Sequence, residues 1–130
     1  MGKQLYDRYS VLHFLTGALA FQTNLRFLPF MIGHTLFELA ENSSAGIAVL
    51  RKIPFWPGGK EHADSLLNMI GDTLAASAGY SLAMILDDLY QIRLFDAEQQ
   101  AWFDAWRVHY GPTGNFFFAS VPQAQFRGFG

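Results

Sequence analysis

The chain alternates long apolar stretches with short polar breaks, and the breaks mark where helices are expected to end. In residues 9–22, Val11, Leu12, Phe14, Leu15, Ala18, Leu19 and Phe21 surround His13 and Thr16. Apolar side chains lie on nearly every side, which suits a buried or membrane helix better than a one-faced surface helix. Gln22-Thr23-Asn24 breaks the pattern. Pro29 then sits just inside a second start, where its missing N–H costs nothing. The second helix is expected over residues 27–42, with Ile47 to Leu50 as an extension past Ser43-Ser44-Ala45-Gly46. Pro54, Pro57, Gly58 and Gly59 exclude regular structure in the next loop. The third segment, residues 65–86, is the longest, and Asp87-Asp88 is expected to close it. Its run Ala75-Ala76-Ser77-Ala78-Gly79 would let another helix approach closely.

Length decides how these segments are used. Some 22 residues at 1.5 Å each reach about 33 Å, enough for a bilayer core. The first two segments reach only about 24 Å and would need a thinned bilayer or shielding neighbours. Residues 96–110 have the pattern of a short amphipathic helix, with Trp102 and Trp106 on one face. The rest of the chain holds Phe116-Phe117-Phe118, too aromatic for a solvated linker, and is expected to be an extended arm. The fold expectation is all-α: a three-helix membrane-embedded bundle over residues 1–92, then an interfacial helix and an aromatic C-terminal arm over residues 93–130.

Composition narrows the function classes. Only 15% of the 130 residues are charged, against roughly 25% in ordinary soluble domains. The net charge is −2, and no basic stripe with interleaved aromatics occurs, so no nucleic-acid partner is expected. Cysteine is absent, which excludes disulfides, thiolate metal sites and cysteine nucleophiles. The first apolar run lacks a cleavage pattern, so no removable signal peptide is expected. Lys3, Arg8, Arg51, Lys52 and Lys60 share one side of a three-span topology, which places the N-terminus in the cytoplasm.

The candidate chemistry lies in polar residues embedded in, or bordering, the apolar stretches. His34, Glu38 and Glu41 or Asn42 stack on one helix face, and Asp64, Asn68 and Asp72 repeat every four residues at the start of the third helix, beside Ser65. His13, four residues before Gly17, gives the first helix a polar spot next to a close-approach position. Ionisable groups here are costly unless they pair or face a wet cavity. One reading is an interhelical hydrogen-bond network. Others are a pocket for a lipid headgroup or small polar molecule, a proton path, or a divalent cation held by His34, Glu38, Asp64 and Asp72. The serines lie outside any GxSxG elbow, and Gly58-Gly59-Lys60 lacks the spacing of a phosphate loop.

In these blocks the chain resembles an uncharacterised family of small bacterial integral-membrane proteins related in pattern to the VanZ-like proteins. The resemblance covers about residues 7–89. It rests on Tyr9-Ser10, His13 and Gly17; on Glu38 with Glu41-Asn42-Ser43; and on Asp64-Ser65, Asn68, Gly71-Asp72 and Gly79. It implies a multi-helix membrane protein with inward polar residues, and no established reaction. The further membrane helix that the resemblance implies after residue 90 is replaced here by the aromatic tail.

The leading functional expectation is a non-enzymatic structural or accessory subunit of a larger membrane complex. Membrane lipid surrounds it, and other subunits would dock on Phe55, Trp56, Trp102, Trp106, Phe116, Phe117 and Phe118. The rivals are a pocket-bearing membrane protein and a soluble helical domain. No cofactor is required by the sequence; a lipid or a divalent cation is the open alternative.

Overall fold

The computed structural model describes residues 2–54, 60–96 and 98–102, and all regular structure among them is helical. Four helices follow in order: α1 (Ser10–Gln22), α2 (Phe27–Glu41), α3 (Ser44–Leu50) and α4 (Leu66–Tyr90). A further helical turn begins at residues 98–102, inside the stretch expected to be amphipathic. Trp102 lies in that turn. Phe55, Trp56, Trp106 and Phe116–Phe118 lie outside the described residues.

Local chemistry sets the helix ends. Asp7 Oδ1 accepts from the Tyr9 N–H at 2.8 Å, while the Asp7 N–H donates to Ser10 Oγ at 3.0 Å. This reciprocal pairing occupies donors that the start of α1 would leave orphaned. Ser43 Oγ accepts from the Gly46 N–H and Ser65 Oγ from the Asn68 N–H, capping α3 and α4. The Ser43 cap corrects the expected boundary: Ile47 to Leu50 belong to a separate helix. The far end of α4 also differs from expectation. The helix runs through Asp87-Asp88 to Tyr90 and stops at Gln91, whose backbone is left-handed at φ 53°. Arg93 Nη2, 2.5 Å from Asp87 Oδ2, offsets the charge there that would otherwise oppose the negative helix end.

Helices α1 and α4 pack side by side and run the same way: Leu5 lies against Gly71, Ser10 against Asp72 and Phe14 against Gly79. Small residues allow this contact. A Cβ at Gly17 would strike the Ala76 carbonyl oxygen, and one at Gly79 the Phe14 carbonyl oxygen. Helix α2 runs the opposite way. Its start meets Tyr80, which stacks on Phe30 and donates its hydroxyl to the Leu25 carbonyl at 2.9 Å. Its end carries Asn42 to the Asp64 N–H at 2.7 Å. The apolar core is small: Ala20, Phe30, Ala76 and Tyr80, with Phe21, Leu25 and Met31 beside it.

Among the described residues, α4 is the one helix long and apolar enough to cross a membrane. α1 and α2 have 13 and 15 residues, or about 20 and 23 Å of rise. The outside of the bundle is greasy: Leu15, Leu28, Leu36, Leu66 and Leu74 are all at least half exposed.

Candidate functional site

Burial is inverted in this chain. Ser10, Gln22, His34, Glu38, Asn68 and Asp72 are buried, and Glu38 and Asn68 are each only 2% exposed. Two of these anchor neighbouring segments. Asn68 Nδ2 donates to the Gln4 carbonyl at 3.0 Å, and Gln22 holds residues 92–94 through its amide. The others converge on one place.

His13 is at the centre of that place. Its Nδ1 lies 3.0 Å from His34 Nε2 and 3.1 Å from Glu38 Oε1; its Nε2 lies 3.7 Å from Asp72 Oδ2. The helix registers produce this meeting. His34 and Glu38 are one turn apart on α2, and the antiparallel run of α2 brings that face to the fourth residue of α1. Ser10 Oγ donates to Asp72 Oδ1 at 2.5 Å. Glu38 is treated differently. Although His13 Nδ1 is close in distance, neither Glu38 oxygen accepts a hydrogen bond among the described residues, and His34 Nδ1 is also without one. Buried polar atoms left this way are rare and costly.

A second cluster lies nearer the α2–α4 end. Lys60 Nζ donates to Glu41 Oε1 at 2.7 Å, to Asn42 Oδ1 at 2.9 Å and to Asp64 Oδ2. Burial pushes the Lys60 pKa down, but the hydrogen bonds to Asp64 and Glu41 outweigh it and hold the ammonium above its ordinary value.

The two clusters share a cleft of about 760 Å³ between α1 and α2. Its polar end is formed by Asp7, His13, His34, Glu41, Lys60, Asp64 and Asp72; its apolar end by Leu15, Leu19, Leu25, Pro29 and Phe30. Glu38 lies behind His13 and His34.

The expected site residues therefore divide into groups. His13, His34, Glu38 and Asp72 come together. Glu41, Asn42 and Asp64 form the Lys60 cluster, Ser65 is a helix cap, and Asn68 serves the N-terminal segment. Of the cation set expected from His34, Glu38, Asp64 and Asp72, only His34 and Glu38 share donor-atom reach, with His13 as the third group; the Asp64 carboxylate is held by Lys60, and one oxygen of Asp72 by Ser10. Sequence reading missed Lys60 as a site residue and passed over Ser10 and Gln22. A signal existed for Ser10, which leads the same helix as His13; Lys60 sits in a non-helical segment before α4, where spacing toward Asp64 carries no face information.

Comparison with protein-family models, curated proteins and solved structures finds no match for this chain.

Proposed function

We propose that this chain is an integral-membrane protein whose α1, α2 and α4 form a three-helix membrane-embedded bundle. Its lateral cleft binds an amphiphile, with the headgroup at the polar end and the tail along Leu15 and Leu19. The carrying observation is the inverted burial. Glu38 and Asn68 are 2% exposed, whereas Leu66 is 72% and Leu28 62% exposed. Water would penalise that arrangement; hydrocarbon outside and a polar interior favour it. The resemblance to VanZ-like membrane proteins accords with this reading. The cleft volume is in the range of small-molecule sites. Its polar end sets four carboxylates, Asp7, Glu41, Asp64 and Asp72, against Lys60 and two imidazoles. A headgroup rich in ammonium or hydroxyl donors fits that balance. The accessory-subunit reading rests on the short first two helices, which α1 and α2 are, and on the aromatic arm, which lies outside the described residues.

Two measurements test the proposal. Alkaline carbonate extraction should leave the chain in the membrane pellet; release into the supernatant overturns the membrane reading. The cleft is then probed at Gly33, which lines it and where an added Cβ meets no atom of the described residues within 4 Å. Gly33→Leu should fill the cleft without disturbing the fold. In nanodiscs followed by native mass spectrometry, the wild type should retain an ethanolamine-headed lipid over a glycerol-headed one. Gly33→Leu should weaken retention on the order of tenfold, equivalent to about 1.4 kcal/mol. Equal retention by both proteins overturns the cleft reading.

A further inference from the structure

The cluster of His13, His34 and Glu38 has the composition and dimensions of a metal centre. Their donor atoms are separated by 3.0, 3.1 and 3.9 Å. The point equidistant from the three lies about 2.0 Å from each, at the short end of the roughly 2.0–2.2 Å of zinc–imidazole and zinc–carboxylate bonds. Two imidazoles and one carboxylate are a donor set suited to zinc-class ions, and three protein ligands leave a coordination position open.

A second observation points the same way. Glu38 is 2% exposed, and among the described residues neither of its oxygens has a hydrogen-bond donor. Its partners in Oε1 distance are the two ring nitrogens already facing one another. A single proton shared between those nitrogens satisfies them and leaves the carboxylate without a donor. A cation at the equidistant point satisfies all three groups at once. Asp72 then stands 3.7 Å from the other nitrogen of His13, with its own second oxygen held by Ser10. That is the position of an outer carboxylate that orients a metal-bound imidazole.

We propose that His13 Nδ1, His34 Nε2 and Glu38 bind one divalent transition-metal ion of the zinc class at the inner wall of the cleft. Its open coordination position is reached from the cavity that His13 and His34 line. There the ion would meet a water molecule or an oxygen of the bound headgroup. The site stands on the three side chains alone and does not need the amphiphile reading.

The test uses the full chain, purified in mild detergent, stripped with chelator and titrated with Co²⁺ and then Zn²⁺. The wild type should bind one Co²⁺ per chain with the visible bands of a low-symmetry N/O site, and Zn²⁺ should bleach them. Glu38→Gln should weaken binding by roughly 100-fold or more, and Asp72→Asn by roughly tenfold, the size of an outer-shell change. Glu61→Gln, at an exposed carboxylate outside the cleft lining, should leave binding unchanged. Helical circular dichroism checks each fold. If Glu38→Gln fails to fold, the wild-type stoichiometry and the mass of the intact ion complex decide alone. Absence of saturable one-to-one binding in the wild type overturns the proposal, as does unchanged binding in folded Glu38→Gln. The chelated protein can still be assayed for lipid retention, so failure here is separable from failure of the cleft reading.

Discussion

Lys60 shows how a single side chain can tie two helices at a polar end. Its ammonium contacts Glu41 at the end of α2 and Asp64 just before α4, and its side chain is only 9% exposed. Replacing it with Met would leave two acids facing each other; breaking a largely buried pair costs roughly 3–5 kcal/mol. Thermal unfolding in detergent should show that loss, and an unchanged midpoint would reduce the cluster to surface decoration. The pH dependence has a definite sign. Because the folded pKa of Lys60 is raised above 10.5, its contribution is fully present below the unfolded value and is lost as pH rises through the folded one. The gap between wild type and Lys60→Met should therefore hold from about pH 7 to about pH 10 and narrow above. This residue also marks where sequence reading reached its limit. His34 and Glu38 were legible because four-residue spacing on one helix is a local property. That His13, and neither Asp64 nor Asp72, would be the third group beside them was not legible, since it depends on the relative register of α1 and α2. Lys60 follows two prolines and two glycines, a context that masks any helical spacing toward Asp64.

The α1–α4 contact depends on what is missing from its glycines. Gly17 faces the Ala76 carbonyl and Gly79 the Phe14 carbonyl, both too close for a methyl group. Gly17→Ala should push the helices apart at a cost of about 1–3 kcal/mol, the usual range for overpacking. Gly33→Leu, a far larger change, should cost little because no atom of the described residues crowds a Cβ at Gly33. A thermal-unfolding series over both variants checks the contrast; equal destabilisation would mean that the close approach does not limit the packing. The helix positions were largely readable in advance, because apolar runs and Pro29 act locally. Two ends were not. Asp87-Asp88 looks like a terminator until Arg93, six residues on, is seen to bind the first of the pair. Ser43 looks like a loosening of α2 until its hydroxyl is seen to cap α3. Both outcomes rest on which neighbour a polar group finds after the chain has turned.

The whole molecule poses a question of span. α4, with 25 residues, rises about 38 Å, more than the roughly 30 Å of a bilayer core, whereas α1 and α2 fall short of it. The shared direction of α1 and α4, with α2 opposed, places residues 2–9 and the segment before α4 at one end of the bundle. The turn at Arg26 is at the other. Basic residues are more numerous at the first end, where Lys3, Arg8, Arg51, Lys52 and Lys60 gather, so that end should face the cytoplasm. The absence of native cysteine makes this directly measurable. Lys3, Lys52 and Arg26 are all exposed, so each accepts a cysteine without entering the packed interior. In intact cells, an impermeant thiol reagent should reach Arg26→Cys from outside, and should reach Lys3→Cys and Lys52→Cys only after the membrane is opened. Labelling of all three from the same side would mean that α1 and α2 enter and leave by one face without crossing. The three-span bundle would then fail, although the His13–His34–Glu38 cluster, which needs only the local meeting of α1 and α2, would stand.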